Sequence, residues 1–530
     1  MMSEDPKCEV CSSPATQKCG GCHTVHYCSR EHQKSDWKRH KKVCKPYKLC
    51  KDDNIGRHLV ATKDIKSGDI ILQEPPLIWG PAQVTVPICL GCGKAIDPEN
   101  YECCSKCGWP VCSKICEQSP SHIPECQYTV SRGSKVTIST FGTVHPSYQC
   151  ITALRCLYQK QFLSNIWKKL DLLESHCEQR KSTPKYQNER ITVAQFILRF
   201  FKLKKIFTEE DIMRICGIIM VNAHEVPLTS PPYVAIYETS SMFEHSCSAN
   251  CTKTFTDQGS IVIKAGTHIK KGEHLSICYT DPLWGTANRR YHLHESKFFW
   301  CICARCSDPT EFGTFFSALK CQKSDCNGFL LPRSFLDHDN NDKGPDWFCN
   351  QCNQLLSAYC VNDILEHIGQ ELMEMKKGDS ISCKHFITMY EPHLHSNHYY
   401  LTDVKLVLSQ IIGHELDEGL PACPEDDLTL KARTSQELSH LMVALVPGET
   451  KIRGLVLFQL HVVISERGRR HMGSQQFIYF VQESKKILEE SLDLLRHEPK
   501  ALPEGIIYQH AEENLKQIDS LLRTLGETSV

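Results

Sequence analysis

Residues 244–306 read EHSCSANCTKTFTDQGSIVIKAGTHIKKGEHLSICYTDPLWGTANRRYHLHESKFFWCICARC. Two pieces, SIVIKAG (260–266) and HLSICY (274–279), are short, aliphatic and β-branched. Lys270-Lys271-Gly272-Glu273 joins them, so the pair predicts two strands and a turn. The stretch ends in Cys301-x-Cys303-x2-Cys306, three thiols at metal-ligand spacing. Tetrahedral zinc takes four ligands, so a fourth has to come from elsewhere in the chain.

Working outward, IGRHLVAT (55–62) and DIILQE (69–74) are again strand-like and are separated by Lys-Ser-Gly, a turn signal. Residues 147–220 read as mostly helical, with a polar gap around Glu178 to Arg190. Asp337 to Asp346 is rich in Asn and Asp and reads as a loop. From about residue 358 the period becomes helical. Val361, Ile364, Leu365, Ile368, Leu372 and Met375 share one face, as do Phe477, Val481, Leu488, Leu492 and Leu495, and then Ala511, Leu515, Ile518, Leu522 and Leu525. This predicts an antiparallel helical array, either a plain packing domain or a peptide-binding superhelix.

The chain has 530 residues, enough for three or four compact units. Sixty-one Lys and Arg face 62 Asp and Glu, and this near-neutral balance argues against a nucleic-acid partner. The longest apolar run, Leu455 to Ile464, is broken by Gln459 and His461 and falls short of the roughly 18–20 residues that span a bilayer. No signal-peptide core opens the chain, so the expectation is a soluble, non-secreted protein with no membrane partner. In a reducing compartment 32 cysteines point to metal rather than disulfides.

Their spacing agrees. The first block carries Cys8, Cys11, Cys19, Cys22, Cys28, His32, His40 and Cys44. The second carries Cys89, Cys92, Cys104, Cys107, Cys112, Cys116, His122 and Cys126; Cys103 competes with Cys104, but only Cys104 leaves two residues before Cys107. The fourth, Cys321, Cys326, Cys349 and Cys352, reads as a ribbon-like knuckle. With the third block and its missing partner these supply ligands for about six closed, structural zinc sites. The other cysteines, such as Cys150, Cys156 and Cys216, read as core or free thiols.

The first block, with its YCS (27–29) and DWKRHKKVC (36–44) phrases, resembles a MYND finger, and the second resembles another. The order of the pieces is more specific still. A SET-like opening (Gly56 to Pro75) is interrupted by the second finger and a helical insert, and is resumed by EHSCSAN (244–250), GEHLSICYTD (272–281) and FFWCICARC (298–306). That succession resembles the split SET domain of the SMYD family, and the extra N-terminal finger resembles its arthropod SmydA branch.

The resemblance implies an α+β fold. Its parts would be an N-terminal MYND finger (1–47), a first SET segment (48–88), a second MYND-like finger (89–126), a helical SET insert (127–220), a second SET segment (221–300), a post-SET and four-cysteine zinc region (301–357) and a helical C-terminal domain (358–530). The β-rich core would carry a pseudo-knot near Tyr279. Interleaved ligand sets are implied: Cys8, Cys11, Cys28, His32 and Cys19, Cys22, His40, Cys44 in the first finger, and Cys89, Cys92, Cys112, Cys116 and Cys104, Cys107, His122, Cys126 in the second. Cys247 would complete the post-SET site.

The activity implied is S-adenosylmethionine-dependent methylation of lysine in a protein substrate, histone or not, in the regulation of gene expression. Tyr279 would be catalytic, orienting the amine. Phe299 would pack on the adenine, Asn222 and His245 would hold the cofactor, and Arg57 and His58 would lie at the cofactor loop. Tyr279 and Phe299 could otherwise be ordinary core aromatics. Glu244 stands where the family carries Asn, His58 where it carries Gly, and Ala249 where it carries Pro. An ionised carboxylate at 244 only accepts hydrogen bonds, whereas an amide also donates.

A second reading is a MYND/SET adaptor or transcriptional corepressor whose fingers bind proline-containing peptides. A third, DNA binding through Lys38 to Lys48, is opposed by the near-zero net charge, and that basic run reads better as the solvated face of the finger or an import signal. Nucleus and cytoplasm are both expected locations.

Overall fold

The computed structural model describes residues 6–19, 25–41, 44–52, 55–336 and 344–527. Cys22 and most of the loop read at 337–346 lie outside them.

The β core is built from small sheets. Cys251–Phe255, Ile261–Ala265 and Ile70–Glu74 form an antiparallel triplet with Ile261–Ala265 in the centre. All five of its residues are buried, which is why IVIKA shows no polar alternation. Its lysine is accommodated at the edge of the core: Lys264 Nζ donates to Leu494 O at 3.1 Å and stands 3.5 Å from Glu498. A second triplet joins Ile78–Pro81, Tyr233–Ile236 and His224–Val226, and Tyr47–Asp52 pairs with Gly56–Ala61.

HLSICY supplies only Ser276–Ile277, which pairs in parallel with Glu244–His245. On its other side Leu275 N donates to Leu59 O and Ala61 N to Glu273 O, both at 2.8 Å. The 273–277 segment thus runs between the opening strand and the EHSCSAN segment. Asn250 fastens it, since Nδ2 donates to His274 O at 2.8 Å while Oδ1 accepts from Ser276 N at 3.0 Å. Leu59, Phe243, Ile261, Ile263, Leu275 and Ile277 close the core beneath.

The polar gap at 178–190 is a difference from the sequence reading. It holds two short helices, Cys177–Arg180 and Pro184–Glu189. Thr183 caps the second with Pro184 at its first position. Most of its polar side chains are exposed to solvent, while Arg180 and Glu189 pair in the interior.

The Thr286–Lys297 helix leads into the CICARC cysteines, and Leu319–Lys320, Phe329–Pro332, Trp347–Cys349 and Leu355–Leu356 form a four-stranded ribbon around the last four. Seven α-helices follow, from Ala358–Glu374 to Pro503–Glu527. They dock on the β core through very close backbone contact: a Cβ at Gly448 would lie 2.0 Å from Ala249 O. Ala249 is therefore part of a docking turn. No helix among the described residues is long and apolar enough to cross a membrane.

Candidate metal centres and the Tyr279 pocket

Six side-chain groups that could hold a metal occur among the described residues. Five are the tetrads Cys8, Cys11, Cys28, His32; Cys89, Cys92, Cys112, Cys116; Cys104, Cys107, His122, Cys126; Cys247, Cys301, Cys303, Cys306; and Cys321, Cys326, Cys349, Cys352. Zinc with ligands at 2.3 Å has tetrahedral edges of about 3.8 Å. The sulfur pairs match: Cys92–Cys112 and Cys104–Cys126 3.8 Å, Cys247–Cys301 3.9 Å, Cys321–Cys352 3.7 Å and Cys326–Cys349 3.6 Å. The donor sets fit zinc, and each is closed by four protein ligands, as a structural site is. In the first finger Cys19 and Cys44 stand 3.8 Å apart and His40 is buried. Cys103 is exposed, whereas Cys104 is buried in its tetrad.

The groups behind the ligands strengthen this fit. His122 turns Nε2 to Cys107 at 3.3 Å and Nδ1 to Glu125 at 3.1 Å. A carboxylate behind a ligating imidazole fixes its tautomer and ring orientation. Burial alone would raise the Glu125 carboxyl, but Arg155, bonded at 2.8 and 3.0 Å, and His122 hold it below its ordinary value. Behind the post-SET tetrad, Arg289 and Arg305 share the fully buried Glu311, and Arg305 also donates to Cys247 O at 3.2 Å.

Tyr279 stands next to that tetrad. Its backbone N donates to His245 Nδ1 at 3.0 Å, and His245 Nε2 lies 3.3 Å from Cys247 Sγ. Because Nδ1 accepts, the ring proton sits on Nε2 and points at the thiolate. His245 therefore ties the metal centre to Tyr279, with both ring nitrogens committed inside the protein. The Tyr279 hydroxyl donates to Phe243 O. Burial, with Glu244 nearby, pushes this phenol well above its usual range, so it stays neutral. Phe299 packs beside the tetrad with Tyr279, its ring 5.9 Å from that of His245.

The other expected residues lie on neighbouring segments of the fold. Asn222 ends the Glu209–Asn222 helix and donates to Glu174 O and Ile218 O, both at 2.8 Å, so its oxygen is the atom left to face a ligand. Arg57 lies on the opening strand opposite Lys51. His58 is buried and stacks on His274 at 4.5 Å, so its ring is folded onto the protein. His274 Nδ1 also meets the Glu244 carboxylate at 2.9 Å. Glu244 and His58, two of the three departures from the family pattern, thus share one partner, His274.

Sequence reasoning missed two residues here, His274 and Lys297, and the link that His245 makes to Cys247. Lys297 Nζ donates to Val221 O at 2.6 Å and stands 5.8 Å from the Tyr279 ring centroid. A lysine ending a helix ordinarily reads as a solvated C-terminal charge, and only the fold brings Val221 beside it.

Comparison with known proteins agrees with this architecture. Residues 8–44 match the MYND finger model and residues 56–280 the SET domain model, a combined architecture that matches that of the SMYD family. "SET domain-containing protein SmydA-8, isoform A" of Drosophila melanogaster is 27% identical over 414 residues, covering 76% of this chain and 85% of that one. "Histone-lysine N-methyltransferase ASHR1" of Arabidopsis thaliana is 26% identical, covering 57% and 63%. The crystal structure of the SET domain of LSMT bound to lysine and AdoHcy aligns over 92% of both chains at 14% identity, with a TM-score of 0.22.

Proposed function

We propose that this chain is an S-adenosylmethionine-dependent protein-lysine N-methyltransferase. The observation that carries the reading is Tyr279, a neutral phenol held from both ends, by His245 at its backbone and by Phe243 at its hydroxyl, just after the strand that pairs with Glu244–His245. The SET match and relatives named histone-lysine N-methyltransferases support the same class.

When bound, S-adenosylmethionine supplies a methyl group activated on a sulfonium. Phe299 would cover its adenine, while the Asn222 oxygen, Arg57 and the backbone at Glu244 and His245 would hold its polar end. The Glu244 carboxylate would turn to His274 rather than to the cofactor's carboxylate. Because the Tyr279 hydroxyl spends its proton on Phe243 O, its oxygen is free to accept from the target amine, which fixes the direction of the nitrogen lone pair. A lysine ordinarily keeps its proton to about pH 10.4, so the amine has to enter neutral or shed its proton in the pocket. The fold then contributes position, the effect with the largest leverage on such a transfer. Labelled methyl transfer to a library of lysine peptides tests the reading, with Tyr279→Phe as the comparison.

The first finger favours a second, compatible role in recruiting proline-containing peptides or corepressors. Trp37 is 43% exposed on the Arg30–His40 helix, and exposed aromatics are what proline-rich segments dock on. Trp37→Ala should weaken capture of such a peptide about tenfold or more, with methyl transfer and zinc content unchanged. Equal capture by the variant would remove Trp37 from that role. Action in gene regulation, in nucleus and cytoplasm, belongs to the same proposal.

A further inference from the structure

The last residue of the Thr286–Lys297 helix turns its ammonium into the protein. Lys297 Nζ donates to Val221 O at 2.6 Å and lies 3.3 Å from Met220 O, both in the last turn of the helix that ends at Asn222. Its distance from the Tyr279 ring centroid, 5.8 Å, is within cation–π range. Two carbonyls and an aromatic face form a seat for a primary ammonium. The methyltransferase reading places the target amine beside the same ring, so the chain's own lysine would be its neighbour.

The surroundings offer little opposite charge. Burial, then Lys253 and Lys185, push the Lys297 amine down to about 8. His224 is pushed below its ordinary value by burial, then by Lys253 and Lys297. His176 is lowered by burial and by Lys297, against the pull of Glu174, and His292 is lowered by burial and then Lys297. Of the nearby carboxylates, Glu244 is bonded to His274, and Glu449 acts on Lys253.

We propose that Lys297 is a resident cation of the amine seat that discriminates against positive charge beside Tyr279. The cationic sulfonium cofactor then binds more weakly than its neutral thioether product, and a target lysine docks only as the free amine. This rests on the methyltransferase reading of the pocket. A plain structural role exists as well, since a lysine at a helix C-terminus satisfies carbonyls. Loss of that role would weaken both ligands alike, so the ratio of the two affinities separates the roles.

The test is calorimetric titration of S-adenosylmethionine and of S-adenosylhomocysteine, at pH 7, into zinc-replete natural protein, Lys297→Gln and Lys297→Arg. Two like charges held in one partly buried site repel enough to move the ratio about tenfold or more. The preference for the thioether should fall by that factor in Lys297→Gln and persist in Lys297→Arg. If Lys297→Gln does not fold, the natural protein's ratio is compared at pH 6.5 and 9.5, where it should fall at the higher pH. An unchanged ratio overturns the inference and leaves the methyltransferase reading standing. Failure of every protein to bind either ligand overturns both.

Discussion

Cys247→Ser is expected to carry five zincs where the natural chain carries six, and to lose methyl transfer. Cys247 follows Glu244–His245, and its three partners come from Cys301, Cys303 and Cys306. The metal is thus a clamp between the EHSCSAN turn and the segment bearing Phe299. A structural zinc contributes on the order of 10–16 kcal/mol in small peptides. Whole domains are stable by only about 5–15 kcal/mol, so losing this clamp is not a local event. The loss also replaces the thiolate facing the His245 Nε2 proton by a neutral hydroxyl, a weaker acceptor, so the ring is held less firmly against Tyr279 N. Elemental analysis beside a melting curve measures both effects. Six zincs and an unchanged melt would show that the tetrad is not a metal site.

Tyr279→Phe is expected to lower the rate of methyl transfer about 10²-fold, the scale of effect seen when a reacting group is misplaced by about 1 Å. The ring and its packing remain, since the variant loses only the hydroxyl. Phe243 O then loses its donor, which costs about 1–3 kcal/mol if no water replaces it. The fold should survive, because Tyr279 N still bonds His245 and the core beneath is untouched. Single-turnover rates with saturating cofactor separate this from weaker binding. Unchanged rates would take the hydroxyl out of the mechanism.

The metal centres were the most legible part of the sequence, for a physical reason. Thiol pairs two to four residues apart are local, so their spacing is visible along the chain. The pairing between finger halves came only through the resemblance, as did Cys247, which lies 54 residues before Cys301. The strands IGRHLVAT, DIILQE and SIVIKAG lie where their patterns put them, because burial of β-branched runs is legible locally. HLSICY gives a two-residue strand, since most of that segment bonds across to Leu59 and Asn250 instead of along one ladder. The polar gap at 178–190 misled because two short, mostly exposed helices around one buried Arg180–Glu189 pair have the composition of a loop. At the site, the partners of Glu244, His58, His245 and Lys297 are all set by threading, and no periodicity relates His274 to Glu244 or Lys297 to Val221.

The most direct test of the central claim is whether the pocket around Tyr279 takes the cofactor. Calorimetric titration of S-adenosylmethionine into zinc-replete natural protein answers it. Saturable binding at one site per chain is expected, with Glu244 and His58 both turned to His274. Absence of binding, in protein shown to hold its zinc and to melt cooperatively, would contradict the enzyme and leave the finger-based adaptor.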